Sequence, residues 1–312
     1  MRPVVPALFA AAAALLAACA EAASAQPPAA GPDPLLAPIA EDYARQWLGA
    51  RDPARIHGNT FLVGFEGLEV ALIETSDGLI LVDGAVPQAV PALIDNLARL
   101  GFRLEDVKYI LSTEPHYDHS GGIAALARDS GATVVASPEA AEVLARGRSG
   151  ADDPQFALLP PFPAVSRPHP LRDGETLTLG DVTITARATP GPTPGSMSWS
   201  WRSCEGGDCV DVVFASSLNP ISADGYRFSD PGSRALHDGF RRTFQAFRGL
   251  PCDILISSHP GPAGINGKLA RHREQPDPNP FIEPGACRAF ADRYEQLFEQ
   301  RLSREAAEAQ GG

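Results

Sequence analysis

Short runs of apolar residues mark the first half of the chain, and turns that contain glycine separate them. Three such runs follow one another, at 59–63, 69–74 and 79–83. Their length and spacing predict successive antiparallel strands. Residues 87–100 instead carry apolar side chains at helical spacing, which predicts a helix that ends at Gly101.

Strands and helices then alternate. We predict strands at 107–111, 132–136, 176–179, 182–188, 197–202, 210–215 and 253–257. We predict helices at 122–129, 138–146, 233–247 and 286–307. Alternation of this kind is typical of a layered α/β fold. Because no change of composition separates the two halves, we expect one catalytic domain over 39–312.

The N-terminal residues have the pattern of an export signal. Arg2 supplies a short positive region, and residues 4–18 form an apolar run that is too short for a comfortable membrane span. Ala23-Ser24-Ala25 before Gln26 fits a signal-peptidase site. We therefore expect a signal peptide over 1–25 and a periplasmic or secreted protein without a transmembrane span.

A second processing pattern overlaps the first. Leu16-Ala17-Ala18-Cys19 fits a lipobox, in which a lipidated Cys19 would anchor the protein in the envelope. Simple export is the interpretation that we favour. Residues 26–38 are rich in Pro and Ala and predict a flexible tether.

The cysteines and the charge narrow the class of protein. Four cysteines remain after the signal region, and an even number in an exported chain indicates two disulfides. Cys204 and Cys209 bracket a turn, which leaves Cys252 to pair with Cys287; a cysteine-rich metal site is the alternative. The net charge of −12, with scattered Lys and Arg, argues against a nucleic-acid partner. We expect a monomer that acts on a small molecule.

Residues that can hold a metal follow the predicted strand 107–111. Glu114, His116, Asp118 and His119 fall within six positions. Alternate residues of an extended loop point the same way, so 114, 116 and 118 can line one side, and imidazole and carboxylate are good zinc ligands. The alternative is a polar surface loop with accidental histidines.

These residues resemble the metallo-β-lactamase superfamily, most closely its subclass B3. The family motif is His-x-His-x-Asp-His, and this chain has Glu114-Pro115-His116-Tyr117-Asp118-His119. Further matching stretches are Gly58-Asn59-Thr60, Leu81-Val82-Asp83-Gly84, Ala223-Asp224-Gly225-Tyr226 and Asn279-Pro280-Phe281-Ile282. The resemblance extends from about Ile56 to Leu302, and a Cys252–Cys287 pair fits it. It implies an αβ/βα four-layer sandwich, with two mixed sheets flanked by helices and a metal centre at one edge.

The resemblance implies two zinc sites, of which one departs from the pattern. Asp118, His119 and His259 match the ligands of one site, which is intact. Glu114 and His116 match two ligands of the other. Its third ligand is a histidine in the family, and this chain has Pro192 there, in Thr189-Pro190-Gly191-Pro192-Thr193-Pro194-Gly195. Because proline has no side-chain donor, we expect one tightly bound Zn²⁺ and a second that is weak or absent.

Further roles follow from position and from the resemblance. Glu114, His116 and Asp118 are the candidate catalytic bases. Asp83 ends a buried strand and is a candidate hydrogen-bond partner of a ligand histidine; an exposed turn aspartate is the alternative. Ser217 and Asn219 match positions that bind the β-lactam carboxylate in the family. An Asp normally precedes that serine, and Ser216 stands there in this chain.

The resemblance implies hydrolysis of the β-lactam amide by zinc, in an enzyme that is impaired or uses a single zinc ion. Two alternatives stay open. One is another zinc hydrolase of the same fold, such as a lactonase or an esterase, because fold does not determine substrate. The other is a zinc-binding relic with little turnover, which the replacements at Pro192 and Ser216 favour.

Overall fold

The computed structural model describes residues 31–311, with side chains up to residue 310. The predicted signal peptide, both processing patterns and the predicted lipid anchor at Cys19 lie outside the described residues. Residues from Asp33 onward form one compact unit.

Seven strands form the first sheet, in the order β1-β2-β3-β4-β5-β6-β7. They are β1 Ala54–His57, β2 Thr60–Leu62, β3 Ala71–Thr75, β4 Gly78–Val82, β5 Val107–Leu111, β6 Thr133–Ala136 and β7 His169–Pro170. Strands β1 to β4 pair antiparallel, as the glycine-containing turns predicted for β2 to β4. Strands β4 to β7 pair parallel. The sheet is therefore mixed, with the parallel strands β4 and β5 at its centre.

Five strands form the second sheet, in the order β12-β11-β10-β9-β8. They are β8 Thr176–Leu179, β9 Val182–Ala188, β10 Met197–Glu205, β11 Asp208–Ala215 and β12 Ile254–Ser257. The pairing is antiparallel from β8 to β11, and β12 adds parallel to β11. Because β11 and β12 run the same way, the residues that follow them emerge at the same edge of the sheet.

Eight α-helices accompany the sheets in the described part of the chain. They are α1 Glu41–Trp47, α2 Val90–Arg99, α3 Tyr117–Ser120, α4 Ile123–Ser130, α5 Pro138–Arg146, α6 Arg234–Gly249, α7 Ile265–Glu274 and α8 Ala286–Gly311. Helix α5 shows how the sequence sets such ends. The Ser137 hydroxyl accepts the Ala140 amide, Pro138 takes the first turn, and Gly147 ends the helix at φ +68.

Two apolar clusters fill the three interfaces between the four layers. On β4, Ile80 and Val82 face the core between the two sheets, whereas Leu79 and Leu81 face the core beneath α2 and α4. Period-two alternation sends successive side chains to opposite faces, so a continuous apolar run serves both cores. The apolar cluster between the two sheets also extends to the outer face of the second sheet, where aromatic residues of α6 and α8 cover it. The αβ/βα sandwich is therefore confirmed.

Five strands and α-helices were not predicted, namely β1, β7, α1, α3 and α7. Each presents few apolar side chains to a core: α7 buries Ile265, Lys268 and Leu269, and α1 buries Ala44. The end of the predicted tether also differs from the expectation. Leu35 and Leu36 pack against the core beneath α2, and the Asp33 carboxylate lies 2.7 Å from the Arg128 guanidinium.

Both predicted disulfides are confirmed. Cys204 and Cys209 face each other across the tip of the β10–β11 hairpin. Cys252 joins the residues before β12 to Cys287 in α8. Between residues 31 and 311, no helix combines the length and the apolar character needed to cross a bilayer.

Candidate metal centre

The loop after β5 carries the first group of candidate ligands, and Asp83 holds it in place. The Asp83 carboxylate accepts hydrogen bonds from the Thr113 amide at 2.7 Å and the Thr113 hydroxyl at 2.6 Å. The Ser120 hydroxyl donates to the Glu114 carbonyl at 2.9 Å. The chain then turns into α3, so that Asp118 and His119 leave the same short turn.

The end of β12 supplies the third candidate ligand, His259. Its Nδ1 lies 3.0 Å from the Gly67 carbonyl oxygen, which can only accept a hydrogen bond. Nδ1 therefore carries the proton, and Nε2 keeps its lone pair for another partner. Nε2 lies 3.4 Å from the Asp118 carboxylate.

Asp118, His119 and His259 meet at one point. Each offers a donor atom within 4.8 Å of the other two. His119 Nε2 lies 3.3 Å from the Asp118 carboxylate, and the His119 and His259 rings are 4.9 Å apart. Asp118 and His119 are buried, whereas the His259 side chain is 31% exposed. A carboxylate and two imidazoles with an open face match the donor set of a catalytic zinc site, so these residues fit one divalent ion.

The electrostatics of this group favour positive charge. Burial would raise the pKa of Asp118, but His119 and His259 outweigh burial and hold that pKa well below its usual value. Burial would likewise lower the pKa of His119, but the Asp118 and Glu114 carboxylates raise it well above its usual value. The carboxylates thus stabilise positive charge at the imidazole nitrogens. The same negative potential would stabilise a divalent metal ion bound there.

Glu114 lies beside this group. Its Oε1 is 2.9 Å from His119 Nε2, and the Ser217 hydroxyl donates to its two oxygens at 3.0 and 3.1 Å. Burial would raise the pKa of Glu114, but His119 and His116 outweigh burial and hold the pKa below its usual value. Glu114 is therefore an ionised carboxylate, although it is buried.

His116 is held by a residue that the sequence did not indicate. Its Nε2 lies 2.9 Å from the Asp153 carboxylate, and both side chains are buried. Burial would lower the pKa of His116, but Asp153 outweighs burial and raises it. A carboxylate at one ring nitrogen fixes the ring and leaves the other nitrogen free to bind or accept a proton.

Among the residues that the structure describes, no third donor completes a group around Glu114 and His116. Pro192 is buried in the loop between β9 and β10, where it offers no side-chain nitrogen or oxygen. A hydrogen bond between two hydroxyl groups joins the ends of β9 and β11 in this region, where Ser216 Oγ lies 2.9 Å from Thr189 Oγ1. Two protein donors do not fit a tight zinc site in the way that three do.

Asp83 is fully buried, so it is not an exposed turn residue. Its carboxylate lies 3.6 Å from His119 Nδ1, on the side of the ring away from Asp118. Its backbone has φ +68, a conformation that a non-glycine residue adopts at some energetic cost. This position lets one side chain support both the ligand loop and the His119 ring.

A cavity of about 530 Å³ opens onto these groups. The predicted residues Glu114, His116, Asp118, His119, Ser217, Asn219 and His259 all line it. The sequence did not indicate the other walls. They come from α1, from the loop after α5 and from α8, and include Tyr43, Trp47, Gln155, Leu158, Phe290 and Tyr294.

Comparison with known proteins agrees with this arrangement. The family model described as metallo-beta-lactamase superfamily matches residues 69–259. A structure described as the first B3 metallo-β-lactamase with an active site glutamic acid is 50% identical, with a TM-score of 0.82; the match covers 88% of this chain and 99% of that one.

Two further solved structures give the same result. Rm3 metallo-β-lactamase is 41% identical over 86% of this chain and 100% of its own, with a TM-score of 0.83. BJP-1, a subclass B3 metallo-β-lactamase of Bradyrhizobium japonicum, is 33% identical over 85% of this chain and 99% of its own, with a TM-score of 0.76. The resemblance to subclass B3 is confirmed, and the chain belongs to the metallo-β-lactamase superfamily.

Proposed function

We propose that this protein is a zinc-dependent β-lactamase that opens the β-lactam ring by hydrolysis of its amide bond. The observation that carries the proposal is the group of Asp118, His119 and His259, whose donor atoms lie within 4.8 Å of one another at the floor of an open cavity. Its solved relatives are described as metallo-β-lactamases of subclass B3.

We propose that one Zn²⁺ is bound tightly, by Asp118, His119 and His259. When bound, zinc polarises a carbonyl group and lowers the pKa of a water molecule to about 7. Glu114 and His116 provide a second position that binds zinc weakly or not at all, since Pro192 contributes no donor.

Glu114 is the residue that we assign as general base. Its carboxylate is buried and ionised, and it lines the cavity beside His119. Among the described residues it belongs to no group of three metal donors, so it is available as a base. It accepts a proton from the attacking water, whose oxygen bonds to the lactam carbonyl carbon. As the carbon–nitrogen bond breaks, the protonated Glu114 returns that proton to the departing nitrogen. His116, which Asp153 orients, stabilises the ionised form of Glu114 before and after it carries the proton.

Substrate binding is assigned to the end of β11. Asn219 lines the cavity and offers an amide, and Ser217 holds the Glu114 carboxylate. We place both residues beside the substrate, as their predicted roles imply, with Ser217 acting through Glu114.

Zinc titration combined with turnover tests this function. The metal-free protein is titrated with Zn²⁺ while hydrolysis of nitrocefin, a carbapenem and a homoserine lactone is measured in parallel. We expect β-lactam turnover to reach its plateau near one zinc ion per chain, with little lactone hydrolysis. Faster turnover of the lactone would assign a different hydrolase, and tight zinc binding without turnover of any of the three would assign a relic.

We propose that the protein acts after export, in the periplasm or outside the cell. Two disulfides support this location, because such bonds persist in oxidising compartments. Mass spectrometry of the mature N-terminus tests it: a chain that begins at Gln26 indicates simple export, and a lipidated Cys19 indicates an envelope anchor. We further propose a monomer, which light scattering of the purified protein checks.

A further inference from the structure

The cavity has to accept an anion without the help of a cationic side chain. A β-lactam antibiotic carries a carboxylate next to the ring nitrogen. Within the part of the chain that the structure describes, neither Lys nor Arg lines the cavity. Glu114 and Asp118 add two negative charges there, which one divalent metal ion offsets without leaving a net positive charge. Binding of the substrate carboxylate therefore depends on neutral hydrogen-bond donors.

The expected donor, Ser217, is already engaged. Its hydroxyl proton is directed at the Glu114 carboxylate, whose two oxygens lie 3.0 and 3.1 Å away. A hydroxyl has a single proton to donate, so a substrate carboxylate would have to compete with Glu114 for it. The replacement of a neutral imidazole by Glu114 thus changes what the neighbouring serine can bind.

Tyr294 of α8 offers a free donor in the same cavity. Its ring packs edge-on against Phe290, with centroids 4.8 Å apart, and the side chain is only 5% exposed. Among residues 31–310, no group hydrogen-bonds its hydroxyl, yet this oxygen is not one of the polar atoms sealed from solvent without a partner. Tyr294 lines the cavity, and its hydroxyl oxygen remains accessible to solvent.

The protonation state of Tyr294 suits a donor. Burial raises the pKa of this phenol above its usual value; Arg293 opposes the shift and the Glu114 carboxylate adds to it. A neutral phenol donates its proton to an anion without adding charge.

We propose that Tyr294 is a specificity-determining residue whose hydroxyl donates a hydrogen bond to the carboxylate of the bound substrate. This proposal rests on the proposed β-lactamase function and extends it. Tyr294 donates to the substrate carboxylate in place of Ser217, whose only hydroxyl proton is directed at Glu114. The residue acts in binding rather than in bond cleavage, so its loss changes KM and leaves kcat nearly unchanged.

The test compares two substrates on two matched variants. Tyr294→Phe removes only the hydroxyl from the cavity, and Tyr109→Phe removes a phenol hydroxyl from β5, outside the cavity lining. Steady-state kinetics of the zinc-loaded proteins are measured with nitrocefin and with its carboxylate methyl ester. A hydrogen bond to a charged group corresponds to about a tenfold change in affinity or more.

We expect Tyr294→Phe to raise KM for nitrocefin about tenfold, with kcat changed less than about threefold, and to leave KM for the ester unchanged. Tyr109→Phe should match the unsubstituted protein with both substrates. An unchanged KM for nitrocefin, or an equal rise for acid and ester, overturns the assignment of Tyr294 alone. Absence of nitrocefin turnover in the unsubstituted protein contradicts the proposed function, and the assignment of Tyr294 is then withdrawn with it.

Discussion

The proposed metal centre has two halves: a complete half, Asp118, His119 and His259, and an incomplete half, Glu114 and His116. In both halves neighbouring residues hydrogen-bond the metal donors, but the halves differ in the number of donors. On one side, Asp118, His119 and His259 direct three donors at one point, with Asp83 behind His119 and the Gly67 carbonyl behind His259. On the other, Asp153 holds His116 and Ser217 holds Glu114, but Pro192 supplies nothing.

We infer from this difference that the side chains that orient a metal ligand can stay in place where the set of ligands is incomplete. Asp153, the partner of His116, is buried, and Ser217, the partner of Glu114, is half-buried; each is hydrogen-bonded to the residue that it orients. Four substitutions measure how far the two halves differ.

The largest effect is expected from Asp118→Ala, which removes the carboxylate of the complete half. Zinc binding should fall well below one ion per chain, and kcat/KM for nitrocefin should fall by more than about a hundredfold, above the range for residues that only orient ligands. Asp208→Ala, at an exposed position of the β10–β11 hairpin, is the control and should match the unsubstituted protein. Retention of both zinc and activity in Asp118→Ala would show that the metal lies elsewhere.

Pro192→His should restore a donor to the incomplete half. We expect zinc content by elemental analysis to rise from about one toward two ions per chain, because three protein donors hold zinc more tightly than two. Pro194→His makes the same change two residues later and should leave the content near one. An equal content in Pro192→His and the unsubstituted protein would contradict the assignment of Pro192 as the missing ligand.

Asp153→Asn tests the support of the incomplete half. Loss of the carboxylate that orients His116 should lower kcat/KM about 10- to 100-fold while the zinc of the complete half stays bound. Added to Pro192→His, it should abolish the second zinc ion. Asp152→Asn, at the exposed neighbouring position, is the matched control. Loss of the first zinc ion would instead place His116 in the complete half.

Gly67→Ala should have the smallest effect. A Cβ at this position would lie 2.5 Å from the Trp47 Cα, so the loop must shift and its carbonyl moves away from His259. We expect zinc affinity to weaken about tenfold in a competition titration with a chelator. Gly232→Ala meets open space and serves as the control. Equal affinities in the two variants would mean that the His259 ring is held by the metal alone.

The sequence predicted the fold and the ligand-bearing loops because both depend on local patterns. Apolar runs such as 107–111 specify buried strands, and a compact motif places Asp118 and His119 in one turn. The partners of these residues depend on tertiary structure. Asp153 reaches His116 across 37 positions and Gly67 reaches His259 across 192, and no spacing rule links such pairs.

The walls of the cavity were missed for a related reason. Tyr43 and Trp47 lie in α1, which was not predicted, and Tyr294 lies in α8, whose helical pattern does not indicate a site. Their place beside the metal centre follows from where α1 and α8 pack. The hydrogen bond between Ser216 and Thr189 was missed for the same reason, because the two residues follow different strands.

The absence of Lys and Arg from the described cavity lining has a consequence for inhibitors. Compounds that rely on an anionic arm to pair with a basic side chain would find no such partner here. A scaffold with a hydrogen-bond acceptor toward Tyr294 of α8 and a single zinc-binding group toward His259 would fit the lining of this cavity.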